Sequence, residues 1–193
     1  RKRLRTRAGD LPKLADLLDE AVRRAEAIVA EKAPHLPPEE RAEVARAVGI
    51  GAVKYGDLSA DRVKDYMFDL DQMVSFDGNT APYLQYAHAR IQSIFRRAGA
   101  DAPRTGEVVI SDPAERALAL AVLEFPMVIA EVEQSLMFHR LAGYLFDLAT
   151  AFTAFYERCP VLKAGEPLRT SRLVLCAVTA RLLATGLGLL GIE

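Results

Sequence analysis

Two cysteines, three histidines and no tryptophan leave this chain little with which to build a catalytic or metal centre. Cys159 and Cys176 have no C-x-x-C spacing, and no histidine stands at a metal-ligand interval from either. That excludes a zinc ribbon or a disulfide framework and reads as two buried thiols in a reducing compartment. His35, His88 and His139 lie far apart, so no metal is expected. No G-x-G-x-x-G, Walker loop, H-E-x-x-H or nucleophile elbow is present. Charge of one sign is not in excess either: 25 lysines and arginines face 26 aspartates and glutamates. No global positive field draws the chain to nucleic acid, so any RNA affinity must come from a local patch. The first seven residues, with Arg1, Lys2, Arg3, Arg5 and Arg7, are one such patch.

A secretory leader is not visible, because the basic start leads into an amphipathic helix rather than an apolar segment. The absence of an initiating methionine reads as the mark of a piece of something longer. One long apolar run occurs, Leu173 to Ile192, whose single charge is Arg181. A central arginine costs ~2.5–3.5 kcal/mol on insertion scales, and Gly186, Gly188 and Gly191 weaken the helix near its end. This run reads as a buried bundle helix rather than a membrane span.

What is present is helical periodicity, over a length sufficient to bury a real core. Leu14, Leu17, Leu18, Ala21, Val22, Ala25, Ile28 and Val29 recur at helical spacing and predict a helix over 10–31. Three prolines between Ala33 and Pro38 break it, and a second helix follows over 39–48. Gly49 to Gly56 fits either more helix or a turn-rich segment, and Tyr66 to Phe76 reads as extended or irregular. Asp101 to Pro113 reads as a loop in which Glu107 to Ile110 forms a short strand or a covering segment. Ser111-Asp112-Pro113 with Glu115 is a helix-start signature for a segment ending near Glu124, and Pro126 opens another helix to about Met137. Leu141, Tyr144, Leu145, Leu148, Phe152, Phe155 and Tyr156 define a long amphipathic helix stopped by Pro160, and 168–190 is the last helix. The fold class is mainly all-α, a helical bundle from about Asn79 preceded by a smaller, mainly helical piece.

The most informative stretch is Phe76 to Phe95. Asp77-Gly78-Asn79 is a turn signal, Asn79 or Thr80 can cap the helix start, and Pro82 suits its first turn. At ~100° per residue, Tyr83, Tyr86, Arg90 and Arg97 fall within about a sixth of the circumference. Leu84, Ala87, Ile91, Ile94 and Ala98 form the adjacent apolar stripe. Rings stack on unpaired bases and arginines neutralise phosphates, so this edge fits single-stranded RNA. Half-buried boundary rings beside solvated arginines fit the same spacing.

Four blocks, in order, carry a family resemblance. They are Leu4-Arg-Thr-Arg-Ala-Gly-Asp10 with Lys13 to Ala21; Asp65-Tyr-Met-Phe-Asp-Leu-Asp71 leading into Phe76 to Arg90; His139-Arg-Leu-Ala-Gly-Tyr-Leu-Phe-Asp-Leu148 continuing to Cys159-Pro-Val-Leu162; and Arg172 to Leu175 through Gly186 to Ile192. Together they resemble the C-terminal part of arginyl-tRNA synthetase, a class I aminoacyl-tRNA synthetase. The resemblance implies two parts: residues 1–78 as the tail of the catalytic region, and 79–193 as an α-helical anticodon-binding domain. Arg3, Arg5 and Arg7 would be the remnant of the basic loop that steadies ATP. The usual Lys-Met-Ser-Lys-Ser form is absent here, and no catalytic site is complete. Tyr83, Tyr86 and Tyr144 would line the anticodon-loop surface, with Arg90 and Arg97 holding the adjoining backbone. Arg90 equally fits a structural helix-to-helix tie.

The same resemblance implies arginine tRNA as partner, together with the N-terminal catalytic part of the same enzyme, at which ATP and magnesium would act. No cofactor is expected on this chain itself, no membrane is involved, and a cytoplasmic monomer without arginylating activity of its own is expected. A reading from another class is a free-standing, synthetase-derived helical interaction module.

Overall fold

The computed structural model describes residues 13–65 and 67–193, and these form seven helices with no strand among them. The basic residues Arg3, Arg5 and Arg7 lie outside the described residues. In chain order the helices are α1 (Leu14–Lys32), α2 (Pro38–Leu58), α3 (Leu70–Met73), α4 (Ala81–Ala98), α5 (Pro113–Ser135), α6 (Phe138–Arg158) and α7 (Leu168–Leu189).

α1 and α2 pack against each other through Ala21, Ala25, Val29, Ala45 and Val48. The glycine-punctuated piece after Val48 is helix, continuing α2 to Leu58. Its glycines cost helix propensity, ~1 kcal/mol each against alanine, but one of them sets the approach of α1. A Cβ on Gly49 would sit 2.6 Å from the Val22 backbone, so only glycine lets the two helices come this close. Farther along α2, Tyr55 and Leu58 join the core of the bundle formed by α4 to α7.

Two local expectations are corrected. Of the stretch expected to be extended or irregular, the described residues 67–76 are irregular but hold one helical turn, α3, which Asp69 caps by accepting from the Asp71 and Gln72 amides. Nor does Pro126 open a new helix, since α5 runs unbroken from Pro113 to Ser135 with Pro126 inside it. Pro126 is exposed, so its ring faces water, while Leu118 and Val132 on the same helix are buried in the core. The α5 start is as expected, with Asp112 and Glu115 forming a complete capping box.

α4 is capped by Thr80, whose Oγ1 accepts from the Tyr83 amide and donates to Ser75 O. Leu84, Ala87, Ile91, Ile94 and Phe95 of α4 are buried. Burying each large apolar side chain contributes ~1.5–3 kcal/mol, against ~1 kcal/mol for a cap, so packing sets the place of α4. Glu107 to Ile110 is loop rather than strand, pinned where Ser171 Oγ donates to Val109 O at 3.0 Å. α7 is long and apolar enough to cross a membrane, yet it lies against α4, α5 and α6 with Ser171, Arg172 and Thr179 among its buried residues. Cys159 and Cys176 are buried free thiols, and burial pushes Cys176 up to about 12.

Candidate nucleic-acid interface

The edge read from helical spacing stands where α4 meets α6. Tyr86 is 46% exposed, the highest exposure of any aromatic side chain among the large hydrophobics of the described residues. The Arg90 guanidinium lies 4.7 Å from the Tyr86 ring centroid and 5.2 Å from that of Tyr156 on α6, so one cation is shared by two phenols on neighbouring helices. Such contacts add ~0.5–2 kcal/mol apiece as they lose water, and they fix the direction of the guanidinium fork.

Tyr83 stands one turn earlier on α4, half-buried, with its ring 5.7 Å from Phe146 of α6. Its hydroxyl is 3.2 Å from Thr153 Oγ1. Thr153 already donates to Ala149 O, so the proton between them comes from Tyr83.

Arg97 does not join this cluster. It lies ~10 Å farther along the axis from Arg90, exposed, with Nε donating to Ser93 O one turn back. At that end of the helix it complements the negative pole of the dipole.

Tyr144 is the correction in the expected set. It is only 6% exposed, packs against Phe125 at 5.7 Å and donates its hydroxyl to Ala121 O at 2.9 Å. Burial, then the nearby Glu124, pushes its hydroxyl up to about 12. Phe146, which meets Tyr83, is two residues on and therefore ~160° round α6. Tyr144 thus faces α5 while the exposed edge faces the other way.

Tyr156 and Phe76 are the residues missed. Tyr156 closes the apolar series of α6 at its boundary, and only the partner helix reveals that its ring meets Arg90. Phe76 meets the Tyr86 ring edge-on at 6.2 Å with planes at 84°, so it props the exposed tyrosine from the α1–α2 side. The site offers ring faces and one cation held between two of them, groups able to stack on flat rings and to neutralise an anion. Among the described residues no group of three or more histidine, cysteine, aspartate or glutamate side chains could hold a metal ion.

Comparison with known families agrees with this architecture. Residues 84–193 match the DALR anticodon binding domain, and residues 1–70 match the family described as tRNA synthetases class I (R), catalytic domain. The helical bundle with its aromatic and basic edge is thus of the anticodon-binding class. More narrowly, the chain belongs to the arginyl-tRNA synthetase family.

Among curated relatives, the arginine–tRNA ligases of Thermobifida fusca and Frankia casuarinae are 56% and 57% identical over 100% and 97% of this chain. The chain spans about a third of their length, 34% and 32% respectively. The arginyl-tRNA synthetase of Thermus thermophilus superposes with a TM-score of 0.87 at 41% identity, covering 96% of this chain and 32% of that one. The Plasmodium falciparum arginyl-tRNA synthetase gives 0.85 at 33% identity, covering 95% and 33%.

Proposed function

We propose that this chain is the tRNA-recognising part of an arginine–tRNA ligase. Its bundle takes the anticodon loop of arginine tRNA, and the whole enzyme joins arginine to that tRNA at the expense of ATP. The observation that carries this reading is the Arg90 guanidinium held by Tyr86 and Tyr156 at the exposed edge of α4 and α6. Bases splayed from the anticodon stack are received by rings at ~1–3 kcal/mol per base, and the fixed guanidinium neutralises the adjoining phosphate. Tyr83 holds the α4 edge against α6, and Arg97 adds charge farther along the same side.

ATP and magnesium belong to the catalytic region, to which Arg3, Arg5 and Arg7 contribute basic groups. The chain works as a cytoplasmic monomer beside the remaining catalytic part and does not arginylate by itself. The test is fluorescence titration with arginine tRNA and with an unrelated tRNA between about 50 and 200 mM salt. Tighter, salt-sensitive binding of arginine tRNA that Tyr86→Ala and Arg90→Gln each weaken is the expected result. Equal affinity for unrelated tRNAs refutes the specificity, and indifference to both substitutions refutes the site.

A further inference from the structure

The Tyr86–Arg90–Tyr156 cluster is one end of a longer line in which two cations, Lys32 and Arg90, flank the Phe76–Tyr86 ring pair. Lys32 Nζ, in the last turn of α1, lies 5.4 Å from the Phe76 ring centroid. Phe76 meets Tyr86 at 6.2 Å, and Arg90 follows at 4.7 Å from Tyr86 and 5.2 Å from Tyr156. Lys32 falls in the segment that matches the catalytic-domain family, and Phe76 lies between the two matched segments.

Resting on the function proposed above, we infer that the RNA surface continues off the bundle onto Phe76 and Lys32. Phe76 takes a base and Lys32 a phosphate of the strand flanking the nucleotides at Tyr86 and Arg90. A single strand calls for both kinds of group along one line, rings for its bases and cations for its phosphates. Phe76 packs against the cluster of Ala25, Val29, Ala45 and Val48 and is only partly buried, so it is held in place without being enclosed. Lys32 is exposed, with the Phe76 ring as its contact and no carboxylate within ion-pair distance among the described residues, so its charge is available to a phosphate.

Titration of this chain with arginine tRNA across a salt series tests the inference. Lys32→Gln is expected to reduce the slope of log affinity against log salt by about one, and Lys32→Arg to restore it. Phe76→Leu, which keeps the apolar packing but removes the ring, is expected to weaken binding about fivefold or more with an unchanged slope. A Lys32→Gln slope equal to that of the unaltered chain, with Tyr86→Ala still weakening binding, overturns this inference and leaves the proposed function standing. No binding of tRNA by the unaltered chain overturns both. Lys32 sits on an exposed helix end, so its result decides the matter even if Phe76→Leu lowers stability.

Discussion

Arg172 Nε donates to Glu115 Oε1 at 2.7 Å, with Glu115 fully buried and Arg172 only 8% exposed. The second Glu115 oxygen accepts from the Ser111 and Asp112 amides and from Ser111 Oγ, and Arg172 also donates to Pro160 O. The starts of α5 and α7 and the beginning of the α6–α7 connection are therefore joined by one satisfied network. Desolvating two charges is costly, and breaking one side leaves the other buried without its partner. Arg172→Met is expected to destabilise the chain by ~3–5 kcal/mol in urea unfolding. The Glu115→Leu and Arg172→Met double change is expected to cost less than the sum of the two singles.

Acid should act on the same network. Burial pushes the Glu115 carboxyl up, but hydrogen bonds from Ser111, Arg172 and Asp112 outweigh it and leave the group below its ordinary 4.5. Asp112 is held below its ordinary value first by the Ala114 amide. A carboxyl lowered on folding contributes stability above its unfolded pKa and loses it as pH falls through the folded value. The urea midpoint should therefore fall on acidification below about pH 4.5, and Glu115→Gln should flatten that fall.

Tyr144 and Tyr86 should respond oppositely to substitution. Tyr144→Phe removes the donor to Ala121 O and is expected to cost ~1 kcal/mol of stability while leaving tRNA affinity unchanged. Tyr86→Ala should weaken tRNA binding about fivefold or more with little change in stability. A titration and a melt on each variant separate the two roles.

How far the sequence could be read depends on the range of the deciding interaction. The α4 edge was legible because Tyr83, Tyr86 and Arg90 lie on one helix, where a fixed 3.6-residue period decides who shares a side. Tyr144 was not, because its direction depends on α5 packing over it, and periodicity does not name a neighbour. Tyr156 escaped for the same reason: Arg90 reaches it from another helix. The unbroken course of α5 escaped because a proline in a helix is decided by what the rest of the helix buries. Pro126 lacks the N–H that would bond Val122 O, and its ring crowds that carbonyl. Pro126→Ala should raise the unfolding free energy by ~1–3 kcal/mol, the gain reduced by the looser unfolded chain.

Tyr55 makes the sharpest test of how the two matched segments are joined. It belongs to α2, yet it is 1% exposed within the bundle core, with its hydroxyl 2.8 Å from Ala142 O on α6 and 2.6 Å from Asn79 Oδ1. One phenolic proton serves one acceptor, so turning the Asn79 amide end for end lets Asn79 donate to Tyr55 while Tyr55 donates to Ala142. Desolvation, then the nearby Asp147, raises the hydroxyl well above its ordinary value, which keeps it a donor across the whole working pH range. Tyr55→Phe keeps the ring and removes both bonds, so it should cost ~1–3 kcal/mol. If α2 and the bundle fold as one unit through this residue, Tyr55→Phe lowers the urea midpoint seen by helical signal and by hydrogen exchange in α1 and α6 alike. Early exchange of α1 and α2 in the unaltered chain, well before α6 opens, would show instead that the two segments unfold separately and that Tyr55 is a local contact.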